Sequence, residues 1–168
     1  MPEAALEIID HAVSSAHPRE TGGILVGYYE ANLRTAVISE AGRPPKDSRA
    51  GRSWFIRGYR RLSEWLHNLW EQSPRRYYLG EWHYHPSVVV EPSDEDFAQM
   101  VDISRNRRYR CPEPVLLIVG EQAASARPCR VFVFPRHGQR VELLEEVLGD
   151  DRAVARLGLT RAPRERSK

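Results

Sequence analysis

Cysteine and lysine are nearly missing from this 168-residue sequence, with two of each, and no apolar run approaches the roughly 18 residues that a membrane-spanning helix requires. Cys111 and Cys129 have neither a CxxC partner nor a histidine at zinc-finger spacing, which argues against a cysteine-ligated metal or a disulfide scaffold. Two buried thiols are expected instead. The opening "MPEAALEIID" is too acidic and too short of apolar residues for a signal peptide, so a soluble cytoplasmic protein with no membrane partner is expected. Lys46 and Lys168 are the only lysines among 25 positive charges, and arginine supplies the rest of a net charge of +2. Arginine's planar fork suits acidic tails and phosphate, although a coding bias toward arginine yields the same count. The arginines gather in "AGRPPKDSRAGR", "RNRRYR" and "TRAPRERSK" without an aromatic-interleaved basic motif, which argues against nucleic acid as a partner.

What is present has the size of one domain, with no repeat and no linker. We expect it to span residues 1–150, with 151–168 a disordered basic tail. "EAALEIIDHAVSSAH" spaces Leu6, Ile9, Val13 and Ala16 as a helix that Pro18 ends. "GGILVGYYE" and "TAVISEA" read as an antiparallel hairpin, 42–52 as an exposed loop, and "SWFI" as a short strand. Leu62, Trp65, Leu66 and Leu69 give a second helix one apolar stripe. "RRYYLGEWHYH" alternates as a strand, "PSVVVEP" is a loop, and Ser93 suits the cap of a third helix. The continuous apolar run "EPVLLIVG" fits a strand buried on both faces, with "CRVFVFP" as its neighbour, while "VELLEEVL" fits strand or helix. The alternation predicts an α/β fold whose central sheet is covered on both sides.

The chemistry gathers in "GEWHYHPSVVVEPSDED", residues 80–96. Residues two apart in a strand share a face about 7 Å apart, so His83 and His85 can aim both imidazoles at one point. By itself the pair also suits hydrogen-bonded histidines on an edge strand. Asp96, three residues beyond Ser93, either completes a capping box or brings a carboxylate to the same point. In the second case two histidines and one acid leave a fourth tetrahedral position open, as a catalytic zinc site needs. A general base would then be required, and both Glu81, on the histidine strand face, and Glu20, before "TGGILVG", are candidates. Spacing does not choose between them.

His83, His85, Ser93 and Asp96 reproduce the H-x-H-x(7)-S-x(2)-D pattern of the JAMM zinc metalloproteases, the active members of the JAB/MPN/Mov34 family, and "HPRETGGILVG" resembles that family's upstream element. The resemblance extends from about residue 3 to residue 135. It implies a cytidine-deaminase-like JAB/MPN fold, α/β, with a central mixed sheet flanked by helices in a single domain. It also implies that His83, His85 and Asp96 bind one Zn2+, that Glu20 activates the water, and that Ser93 supports the oxyanion. Glu81 then becomes a partner that orients a histidine.

The family's active members cut after the C-terminal tail of ubiquitin or a ubiquitin-like protein. This chain resembles the prokaryotic JAB branch encoded beside ubiquitin-activating-like and conjugating-like enzymes, some of it in antiphage operons. That implies a zinc isopeptidase acting on a ubiquitin-like modifier or a protein conjugate. A peptidase that trims a sulfur-carrier protein would keep every catalytic residue, and a non-catalytic scaffold is a further class; neighbouring genes would separate the first two. Substrate selection is expected in the arginine-rich connections 42–52 and 104–113, with Arg105, Arg107 and Arg108 as candidates.

Overall fold

The computed structural model describes residues 1–32, 34–123 and 127–144. The expected basic tail and the domain boundary at 150 lie outside them. The first helix, α1 (Glu3–Ala16), buries Ala5, Ile9, Ala12 and Val13. Two of the expected stripe residues are in that set, but Leu6 is 46% exposed. The buried face is turned toward two alanines, whose small side chains let the helix lie close to the sheet.

The expected hairpin is formed by β1 (Thr21–Tyr29) and β2 (Ala36–Ala41), paired antiparallel. The connection expected as an exposed loop is partly structured. Gly42 is buried, its carbonyl accepts the Trp82 indole N–H at 2.9 Å, and β3 (Arg49–Ala50) pairs with β4 (Phe55–Ile56) in a separate two-stranded sheet. After α2 (Leu62–Trp70) come β5 (Tyr77–Tyr84), α3 (Asp94–Arg105), β6 (Val115–Val119), β7 (Cys129–Val133) and β8 (Val141–Leu143). The ambiguous "VELLEEVL" thus begins as a strand, and its remainder beyond residue 144 is not among the described residues. No helix among the described residues is long and apolar enough to cross a membrane.

The main sheet runs β2-β1-β5-β6-β7-β8. Only β5 and β6 are parallel, and α3 is the crossover between them. All five residues of β6 are buried, as its unbroken apolar run predicts. One face of the sheet packs Leu79, Trp82, Leu117 and Val131 against α1. The other packs Ile24, Leu116, Ile118 and Phe132 against Leu69 of α2 and Met100 and Ile103 of α3. The sheet is therefore covered on both sides, as expected.

One irregularity sets which face receives the chemistry. Leu25 pairs with Gly80 while Val26 pairs with Tyr78, so Leu79 is an extra residue in β5. Leu79 and Trp82, three residues apart, consequently share the α1 face. Glu81 and His83 fall on the other, toward α3. Glycine is needed at the bulge because a Cβ at Gly80 would lie 1.8 Å from the Val115 carbonyl oxygen.

Candidate active site

The end of β5 and the start of α3 meet at one point. His83 is buried and sits within the strand; His85 lies one residue past it, with its N–H continuing the ladder to the Val119 carbonyl at 2.9 Å. Ser93 caps α3 in a complete capping box: Asp96 N–H donates to Ser93 Oγ at 3.1 Å, and Ser93 N–H to Asp96 Oδ2 at 2.8 Å. The two readings of Asp96 therefore hold together. While closing the cap, its carboxylate meets His83 Nδ1 with Oδ1 at 2.5 Å and His85 Nε2 with Oδ2 at 3.2 Å.

Among the described residues, His83, His85 and Asp96 offer donor atoms that all lie within 4.8 Å of one another. Two imidazole nitrogens and one carboxylate oxygen form a donor set that fits a catalytic zinc ion with an open coordination position. Burial acts to raise the Asp96 pKa, but the bonds from His83 and His85 outweigh it and hold the carboxyl well below its ordinary range. Burial likewise acts to lower the His83 pKa, and the bonds to Asp96 and Glu81 overcome it, raising the value to about 9.

Glu20 precedes β1, and Thr21 pairs with Tyr84, which sets Glu20 across the strand pair from His85. Its N–H donates to the Gly51 carbonyl at 2.8 Å, so the β3–β4 hairpin fixes this backbone. Half-burial lifts the Glu20 carboxyl above its usual range, partly offset by the nearby His85. A carboxylate made more basic in this way suits proton transfer near neutrality.

Glu81 occupies a different position, beneath the histidine. It is fully buried and accepts from Arg57 Nε at 3.0 Å, Tyr78 OH at 3.1 Å and Gln99 Nε2 at 3.0 Å, with His83 Nε2 at 3.5 Å. Burial alone would raise its pKa, but the bonds from His83 and Arg57 keep it below the ordinary value and therefore ionised. With its oxygens committed to this network, Glu81 has the surroundings of a supporting group. Arg57, Tyr78 and Gln99 were absent from the sequence reading. Gln99 had a signal, because it lies three residues after Asp96 on the same helix face; the partnership of Arg57 with a residue 24 positions away had none.

Arg105, Arg107 and Arg108 are not brought to this cluster. Arg105 ends α3, nine residues beyond Asp96, or about 13 Å along the helix axis. The connection after it leads to the start of β6, where Tyr109 and Arg110 line a cavity with Tyr29 and Tyr77 at the opposite end of the strands from His83. The N-terminus of α3, not its C-terminus, faces the ligands, so the connection 104–113 leaves the helix at its far end. Gly51, in the connection 42–52, accepts the Glu20 N–H at 2.8 Å, and Phe55, just beyond that connection on β4, forms a T-shaped pair with His83, centroids 5.7 Å apart. The expectation of two buried thiols is half met, with Cys111 buried and Cys129 exposed.

Residues 2–133 match the family described as prokaryotic homologs of the JAB domain. The chain is 43% identical over 129 residues to a protein of Enterobacter hormaechei named CD-NTase/cGAS isopeptidase, covering 77% of this chain and 71% of that one. It is 31% identical over 130 residues to a Sinorhizobium fredii protein named "Probable metalloprotease y4qB", covering 71% and 73%. Among solved structures it is similar to a JAB1/MPN-domain protein of Archaeoglobus fulgidus, with a TM-score of 0.43 and 22% identity over 83% of this chain and 91% of the other. The chain belongs to the prokaryotic JAB family.

Proposed function

We propose that this protein is a JAMM-type zinc isopeptidase that releases a conjugated protein by cutting the bond after its C-terminal tail. The observation that carries the reading is the meeting of His83, His85 and Asp96 within 4.8 Å at the helix cap, with Glu20 set beside His85. His83, His85 and Asp96 would hold the metal. Zinc is favoured over the iron that the same donors also accept, because it combines Lewis acidity without redox chemistry with a tetrahedral site of three protein ligands and one open position. When bound, it would lower the pKa of a water toward about 7 and polarise the scissile carbonyl.

The chain's own groups supply the rest. Glu20 takes a proton from the attacking water as oxygen bonds to the carbonyl carbon. It then delivers that proton to the leaving amine as the C–N bond breaks, giving a free amine and a carboxylic acid that releases its remaining proton to solvent. Ser93 Oγ donates to Asp96 Oδ2 at 2.8 Å, and rotation about its Cβ–Oγ bond would turn the same proton toward the developing oxyanion without moving the capping oxygen. Trp54 and Ile56 on the β3–β4 hairpin, and Val88 and Val89 on the loop between His85 and Ser93, are exposed apolar side chains on segments next to the cluster and would suit an extended tail.

The name of the Enterobacter relative favours a CD-NTase conjugate as the substrate class. Cytoplasmic conjugation enzymes of the ubiquitin-activating type would be the partners that build it. The test uses a conjugate in which such a tail is joined through its C-terminal carbonyl to a lysine amine. We expect cleavage to restore both free groups, to stop with chelator and to return with zinc. Cleavage that persists after full metal removal, or zinc-loaded protein that cuts neither this conjugate nor a linear extension of the tail, would defeat the reading.

A further inference from the structure

Glu81 is a fully buried carboxylate that the proposed chemistry does not use, and it carries more polar contacts than a structural ion pair needs. Both guanidinium nitrogens of Arg57 that face it lie at 3.0 Å from Oε1, and Tyr78 OH reaches the same oxygen at 3.1 Å. The other oxygen, Oε2, takes Gln99 Nε2 at 3.0 Å and faces His83 Nε2 at 3.5 Å. The partners come from four separate places: the residue after β4, the start of β5, the second turn of α3 and the ligand itself. Arg57 is itself buried and donates through Nη1 to the Gly58 carbonyl at 3.1 Å. That segment is braced in turn, as Asp47 Oδ2 accepts Tyr59 N–H and Oδ1 accepts Arg60 N–H, each at 3.0 Å.

We propose that Arg57 and Glu81 are positioning residues: Glu81, held by Arg57, accepts the Nε2–H of His83, fixing that ring so that Nδ1 is its metal-binding nitrogen and tying the β3–β4 hairpin to the metal centre. The inference rests on the metal site proposed above. Its geometry is direct, since Nε2 faces Glu81 while Nδ1 faces Asp96. A carboxylate that accepts the second N–H of a ligating imidazole sets its tautomer and orientation. Oriented by Arg57 and Tyr78, Glu81 has one oxygen left for Gln99 and His83. Phe55, on the same hairpin as Arg57, packs against the His83 ring in a T-shaped pair with centroids 5.7 Å apart. A hairpin displaced by substrate would therefore shift the histidine through two contacts at once.

The test uses the full chain loaded with zinc. Nitrogen-15 NMR of the histidine side chains should show His83 protonated at Nε2 and metal-bound at Nδ1. Transfer of zinc to a colorimetric chelator should be roughly 10- to 100-fold faster in Glu81→Gln, the range seen when outer partners of ligands are removed. Arg57→Gln should accelerate it in the same sense, and Arg57→Gln with Glu81→Gln should be no faster than Glu81→Gln alone, because Arg57 acts through Glu81. If Arg57→Gln does not fold, Tyr78→Phe removes one hydrogen bond from the same oxygen without unpairing a charge, and a smaller acceleration is expected. His83 protonated at Nδ1, or zinc release unchanged in both Glu81→Gln and Tyr78→Phe, would overturn the proposal. Wild-type protein that takes up no zinc would instead refute the metal site on which it rests.

Discussion

The two carboxylates that compete in the sequence are separated by their surroundings. Glu20 is half-buried beside the cluster, whereas Glu81 is enclosed by Arg57, Tyr78 and Gln99. Glu20→Gln should lower turnover by roughly 10²- to 10⁴-fold, the usual contribution of a general base, while zinc content measured on the same preparation stays unchanged. At saturating zinc, Glu81→Gln should lose much less; an inactive Glu81→Gln beside an active Glu20→Gln would exchange their roles. Cys111 offers a pH test of the packing. Burial pushes its thiol up to about 12, so the reactive thiolate stays scarce at pH 8. A maleimide should leave Cys111 unmodified in native protein at that pH and label it after denaturation, as peptide mass spectrometry would read. At this scale the sequence was legible where a residue's task depends on near neighbours. His83, His85, Ser93 and Asp96 fall within 14 positions, and their spacing carried through to the structure. Arg57 was not legible, because its meaning comes from a partner on another element.

At the scale of elements, the site depends on a bulge and a cap. The bulge at Gly80 sets the phase of β5, so Gly80→Ala should destabilise the fold by about 3 kcal/mol or more, since the new methyl meets the backbone of β6. Denaturant unfolding would measure it, and a loss under 1 kcal/mol would mean that the bulge relaxes around the methyl. Ser93 caps α3 and also donates to Asp96. Ser93→Ala should cost about 1 kcal/mol of stability as the cap is lost, and activity should fall well beyond that loss; Ser93→Thr, which keeps the hydroxyl, should retain most of both. Equal activity in the two variants would leave the hydroxyl with capping alone. Alternation correctly gave the strands and their two-faced burial, but it cannot register a bulge. The phase shift at Gly80 comes from the close approach of β6, a strand 35 residues away. In the small β3–β4 sheet, β4 falls within the expected strand "SWFI", while β3 lies in the expected loop for a similar reason, since a two-residue strand leaves no period.

For the whole molecule, the sheet order β2-β1-β5-β6-β7-β8 and the course of α3 put the ligands at one end and the connection 104–113 at the other. Arg105, Arg107 and Arg108 replaced together by alanine should therefore leave KM for a short tail peptide unchanged, and raise KM only for a protein substrate large enough to reach past the length of α3. Composition indicated one domain, and the alternating elements indicated a covered sheet. The direction in which α3 carries its C-terminus, which decides where those arginines lie, follows only from the parallel pairing of β5 and β6. The proposed function depends on three side chains holding one metal ion. Elemental analysis of protein purified without chelator tests that most directly. The expected result is about one zinc per chain in the wild type and in Glu20→Gln, and none in His83→Ala, His85→Ala; an unchanged metal content in that double variant would contradict it.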